Sequence, residues 1–109
     1  MTKNRAKGLG SLEHVILLAI LGLDETSAYG AMIYKAVAGS GRRTTVSAIH
    51  TTLDSLEEKG FVTSRLGEPN PGRGGRAKKL FRVSPNGRGA LQGAERSLRA
   101  LRGLVPDLI

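Results

Sequence analysis

The sequence predicts a mainly α fold with a small β-hairpin: three helices, the hairpin, and a long final helix. Three observations predict it. Apolar residues recur at helical spacing in four separate stretches. Ahead of the last of these, two runs of β-branched, aromatic and leucine residues flank a loop rich in Gly and Pro. Ser or Thr before the helical stretches, and Gly after them, supply start and stop signals.

The first helix starts at Leu12 with Ser11 as its cap. Leu12, Val15, Ile16, Leu17, Leu18, Ala19, Ile20 and Leu21 make it apolar nearly all round. Such a helix is buried on more than one side. In a chain of 109 residues that means a central position, or a second chain over one face. His14 near its start has no partner at ligand spacing and reads as incidental.

A polar break at 24–27 leads to a second helix over 28–38, with Tyr29, Met32, Ile33 and Val37 on one face. Gly39, Ser40 and Gly41 end it. The third helix runs over 46–59, capped by Thr45 and stopped by Gly60. Val46, Ile49, Leu53 and Leu56 describe its core-facing stripe.

Residues 61–66 and 77–83 read as strands, joined by a loop over 67–75. Ser84 and Pro85 then open the last helix, Ser as cap and Pro in the first turn. Its apolar positions Leu91, Ala94, Leu98, Leu101 and Val105 follow a heptad seam, and Pro106 ends it. The order of elements is that of a winged helix-turn-helix unit over 10–84 plus a long C-terminal dimerisation helix over 85–109, preceded by a basic arm over 1–9. Lys3, Arg5 and Lys7 in the arm fit two readings, a solubilising tail and a segment that touches DNA.

Charge and composition bound the function. Lys and Arg number 17 against 9 Asp and Glu, a net charge of +8 that suggests a polyanionic partner. Nucleic acid is the first candidate and an acidic membrane surface the second. The longest apolar stretch, residues 15–23, is about half of what a bilayer crossing needs. There is no Cys, which removes disulfides, Cys-ligated zinc and thiol catalysis. No secretory pattern opens the chain, so a cytoplasmic protein is expected.

The third helix suits a DNA groove by its polarity. Its leading half offers Thr45, Ser47, His50 and Thr51, with Arg42, Arg43 and Thr44 just ahead. Its trailing half carries Asp54, Glu57 and Glu58, which phosphates repel. The backbone N–H groups and positive dipole end also lie at the leading end. An ordinary amphipathic helix with a solvated outer face would look similar, so the hairpin matters. Arg65, Arg73, Arg76, Lys78, Lys79 and Arg82 stand there against a single acid, Glu68. Gly72, Gly74 and Gly75 permit close backbone approach to phosphate. Lys35, Arg42 and Arg43 are expected to flank the reading residues.

Competing chemistries have little support. There is no GxxxxGK[ST] loop, and the Gly-rich stretch 39–44 follows a helix rather than a strand. His14 and His50 are far apart and lack carboxylates at metal-binding spacing. Neither an enzyme nor a cofactor or metal is expected. A winged-helix adapter for an acidic protein keeps the same fold and is the alternative. RNA binding fits less well, because two Tyr and two Phe at core-like positions leave few bases to be stacked.

The chain resembles the PadR family of transcriptional regulators, in its shorter subgroup. The resemblance rests on LGSLE at 9–13, Tyr29 and Gly30 followed by Ile33, TLDSLEEKGFV at 52–62, GEP at 67–69 and GGRAKKLFRVSPNG at 74–87. Two positions depart from the family pattern: His50 stands where a Tyr is usual, and Leu80 precedes Phe81 where two aromatics are frequent. The resemblance implies a homodimer held by the last helix with help from the first, here through Leu12, Ile16, Leu91, Ala94, Leu98, Leu101 and Val105. It also implies repression of a nearby gene and, in many members, release by a small-molecule effector. Some members of the short subgroup hold planar drugs with a Trp of the last helix, and this chain has no Trp.

Overall fold

A computed structural model describes residues 8–70 and 76–106, with the side chains of all of these except 69, 70 and 76. The elements run α1 (Ser11–Gly22), α2 (Gly30–Gly39), α3 (Val46–Glu58), β1 (Val62–Asn70), β2 (Arg76–Val83) and α4 (Pro85–Arg102). The helical unit, the hairpin and the final helix thus follow the predicted order. The basic arm through residue 7, Arg73 and the glycines around it, and residues 107–109 lie outside the described residues.

One core joins the parts. Ile16, Leu17 and Ile20 of α1 meet Ile33 and Val37 of α2 and Ile49, Leu53 and Leu56 of α3. Phe61, Val62, Phe81 and Val83 bring the base of the hairpin onto this cluster, and Leu91 adds the first half of α4. The apolar steps of α3 place Ile49, Leu53 and Leu56 on one face, and all three are buried. Val46, the first residue of the helix, departs from that stripe and is 50% exposed.

The caps explain where the helices begin. The Thr45 hydroxyl accepts the Ala48 N–H at 3.0 Å, and the Ser84 hydroxyl accepts the Gly87 N–H at 3.0 Å. For α1 the cap is Gly10, one residue earlier than expected. Its N–H donates to Glu13 Oε1 at 2.8 Å, which frees the Ser11 hydroxyl to accept from Arg42 at 2.6 Å. Glu13 is buried and takes two further donors from α3 and its cap, Lys59 Nζ at 2.8 Å and Ser55 Oγ at 3.5 Å. This cluster ties the start of α1 to the end of α3. Gly60 closes α3 at φ +80°, a left-handed conformation that glycine adopts without steric cost.

Three further differences from the sequence-based expectation are larger. Residues 28 and 29 are extended rather than helical. The Phe81 N–H donates to the Ala28 carbonyl at 2.8 Å, and Tyr29 bridges Leu80 in antiparallel fashion. The free edge of β2 satisfies these backbone groups before α2 begins. The hairpin is also longer than expected, since β1 continues through Asn70. Its register runs from Val62 opposite Val83 to Leu66 opposite Lys79, shifts between Leu66 and Pro69, and resumes with Pro69 opposite Ala77 and Asn70 opposite Arg76. Between these pairs β1 has one residue more than β2, a bulge over 67–68.

The third difference concerns α4, which ends at Arg102 with Gly103 as its cap, so Val105 lies beyond the helix. Pro106 is therefore not its terminator. Ile16 and Leu91, expected in a contact between chains, are 0% and 5% exposed and lie inside the protomer core. Leu12 and Ala94 are half-buried, while Leu98 and Leu101 are 54% and 60% exposed. Leu18 and Leu21 of α1 are exposed as well. His14 is not incidental, since its Nε2 meets Glu95 and links α1 to α4. Gly87 makes the closest approach, under the Phe61 carbonyl, where a β-carbon would come within 2.1 Å of the oxygen.

Candidate nucleic-acid interface

Helix α3 presents its leading half to solvent. Thr45, Ser47, His50 and Thr51 are all exposed. Thr44, expected with them, is half-buried, and its hydroxyl is enclosed without a hydrogen-bond partner. That hydroxyl therefore faces inward and not toward a groove. Arg43 and Lys35 are exposed as expected. Arg42 is half-buried, with its guanidinium donating to Ser11.

His50 packs against the start of α2. A β-carbon on Gly30 would come within 2.6 Å of His50 Cε1, so glycine alone leaves room for the ring there. A cleft of about 250 Å³ opens between α3, the start of α2 and β2, lined by Tyr29, Gly30, His50, Asp54, Lys78 and Phe81 among others. The cap residue of α2, Tyr29, makes no side-chain cap bond.

The hairpin cations are more engaged than their number implies. Lys78 sits 4.6 Å above the Tyr29 ring. Lys79 is 3.4 Å from Glu57 of α3. Arg65 and Arg82 both approach Glu25 in the α1–α2 turn, at 3.8 and 3.6 Å. Two acids distant in sequence, Glu25 and Glu57, therefore join Glu68 in balancing the hairpin. Arg76 opens β2.

Glu57 is the best-held of these acids. The Ser64 hydroxyl donates to it at 2.6 Å and, against some cost of burial, this bond and the Lys79 ammonium hold its carboxyl below the usual range. The resulting field has a direction. The trailing half of α3 keeps its acids, partly neutralised by the hairpin, and the leading half has no charged side chain between Thr45 and Thr51.

A second cleft, of about 530 Å³, lies between the end of α1, the base of the hairpin and the start of α4. Leu21, Phe81 and Pro85 line it together with Glu25, Arg82 and Arg88. Among the described residues no group of three His, Asp or Glu side chains could hold a metal ion. No helix among them is long and apolar enough to cross a membrane.

Sequence reasoning misses the part played by four residues. The step of three from Ile49 assigns Val46 to the core, although its place in the first helical turn is the signal for exposure. Gly30 enters the family resemblance, but its sequence context gives no sign of its contact with His50. Glu25 and Glu57 reach the hairpin through tertiary contacts that no local pattern records.

The model of the transcriptional regulator PadR-like family matches residues 17–93. No curated protein matches the chain. Among solved structures, the fold is similar to that of a PadR family transcription regulator from hypervirulent Clostridium difficile R20291, with a TM-score of 0.73, 19% identity, and coverage of 87% of this chain and 94% of that one. A PadR family transcriptional regulator from Eggerthella lenta DSM 2243 gives a TM-score of 0.63 at 22% identity, covering 87% and 83%. A MarR family transcriptional regulator from Rhodococcus sp. RHA1 gives 0.64 at 22% identity, covering 91% and 64%. At these identities the structures speak to fold, which is the winged-helix arrangement of such regulators. The family match runs from the second half of α1 to the first half of α4, and the chain belongs to the PadR-like family of transcriptional regulators, not to the enzymes.

Proposed function

We propose that the protein binds double-stranded DNA sequence-specifically as a homodimer, at an inverted-repeat operator, and represses the gene it controls until a small-molecule effector releases it. The observation that carries the reading is the free leading half of α3, with Thr45, Ser47, His50 and Thr51 exposed beside a basic hairpin. In this reading those four residues meet base edges or phosphates in the major groove. Arg43 and Lys35 contact phosphate, as do Lys78 and, in this reading of the sequence, Arg76 and Arg73 of the wing. Lys79 is held to α3 through Glu57 and reaches phosphate only by leaving it.

The dimer contact is assigned to the exposed side of α4, chiefly Leu98 and Leu101, with Leu12 and Ala94 at its margin. An effector acts by changing how far apart the two copies of α3 lie, because half-site spacing has to match the DNA repeat. Selection of bound duplexes from a random pool tests the reading. An inverted repeat whose half-sites lie about one helical turn apart is expected. Lys78→Ala combined with Arg76→Ala then weakens binding to all duplexes alike and lowers the salt dependence, by about 0.9 in the log–log slope for each phosphate no longer neutralised. A pool that returns no enriched sequence would reject the proposal.

A further inference from the structure

Val46 is the first residue of α3, and half of its surface faces solvent (50% exposed). A helix that enters the major groove by its N-terminal end brings its first turn nearest the base edges. Val46 stands in that turn, between the exposed Thr45 and Ser47 and one turn ahead of the exposed His50. A branched apolar side chain in that place calls for a contact that suits it.

The groove offers a limited code. Arg and Lys pair with guanine, Asn and Gln with adenine, and carboxylates with the amino group of cytosine, while apolar side chains pack on the methyl group of thymine. From Thr45 to Thr51 the chain has no Arg, Lys, Asn, Gln, Asp or Glu. The side chains that make two-bond contacts to guanine or adenine are thus missing from the reading turns. The Thr45 hydroxyl is already engaged with the Ala48 N–H. Ser47 and Thr51 carry hydroxyls that both donate and accept, so they discriminate little between base edges. Ile49 is fully buried and Ala48 half-buried, which leaves Val46 as the large apolar surface of these turns.

We infer that Val46 is a specificity-determining residue that packs against the 5-methyl group of a thymine in each half-site. The inference rests on α3 being the groove-entering helix. It predicts a preference created by shape and water exclusion, and not by hydrogen bonding.

Replacing thymine by deoxyuridine removes that methyl group and nothing else. The probe is a duplex selected by the wild-type protein from a random pool, with each thymine of one half-site replaced singly. At one position the replacement is expected to weaken wild-type binding about fourfold, the transfer cost of one methyl group. Val46→Ala is expected to bind the thymine duplex with a similar loss and to bind thymine and uracil equally at that position. Its melting temperature should match the wild type, since the side chain is half exposed. Equal wild-type affinity for every uracil duplex would overturn the inference, as would a Val46→Ala protein that keeps its full thymine preference. In either case the selected duplex still stands as evidence of DNA binding, so the two readings fail separately.

Discussion

Gly30 and His50 are in contact across α2 and α3: a β-carbon on the glycine would come within 2.6 Å of the imidazole. The obstructing atom is the far end of an exposed side chain, so the ring can move aside at little cost to the fold. Gly30→Ala should therefore leave the melting temperature nearly unchanged while turning His50 from its place. DNA affinity is expected to fall about fivefold, the worth of one hydrogen bond. Parallel melting curves and gel shifts separate the two effects, and a loss of stability without a loss of affinity contradicts the assignment of His50.

Two glycines of α4 should behave in opposite ways. At Gly87 a β-carbon would meet the Phe61 carbonyl oxygen at 2.1 Å and Val83 Cγ1 at 2.9 Å, both in the packed base of the hairpin. Gly87→Ala should destabilise the protein by about 3 kcal/mol. At Gly89 nothing lies within 4 Å, so Gly89→Ala should stabilise it by about 0.5–1 kcal/mol through helix propensity. Urea denaturation of the two variants checks both signs.

Glu13 gives the protein a defined acid sensitivity. Burial alone would raise its pKa, but hydrogen bonds from Lys59, the Gly10 N–H and Ser55, with the charge of Lys59, together hold it below the usual carboxylate range. On acidification the unfolded chain takes up this proton first. The stabilisation is full above the ordinary glutamate range and is lost as pH falls through the lower folded value. Glu13→Gln should cost about 2 kcal/mol near neutral pH and flatten the dependence below it. Thermal melts from pH 7 to pH 3 report both.

Leu98 and Leu101 lie exposed on the second half of α4. If they meet a second copy of the chain, replacing both by Lys should yield a monomer by sedimentation and remove the concentration dependence of melting. DNA affinity should fall sharply, because one half-site is then bound without the other. An unchanged dimer moves the interface elsewhere.

The fold is legible in the sequence because its strongest signals are local. Thr45 and Ser84 cap where a hydroxyl precedes a helical stretch, and Ile49, Leu53 and Leu56 keep their spacing into the core. Ala28 and Tyr29 mislead because an apolar pair ahead of a helix resembles its first turn, and only the edge of β2, some fifty residues away, draws them into extended form. Val46 and Val105 each extend an apolar period beyond the packing that gives it meaning. The hairpin's charge balance is hidden for a different reason. Counting acids along 61–83 finds Glu68, whereas space supplies Glu25 and Glu57 from elements on either side.

The hydrogen bond from Phe81 to Ala28 fastens the hairpin to the segment that leads into α2. The root of the hairpin cannot swing without also dragging the helix-turn-helix. In the proposed mechanism a messenger molecule would therefore gain little by pulling on the wing alone. Each half of the assembly would arrive at the duplex as a pre-set caliper jaw, and control over gene expression would come from the gap between the jaws.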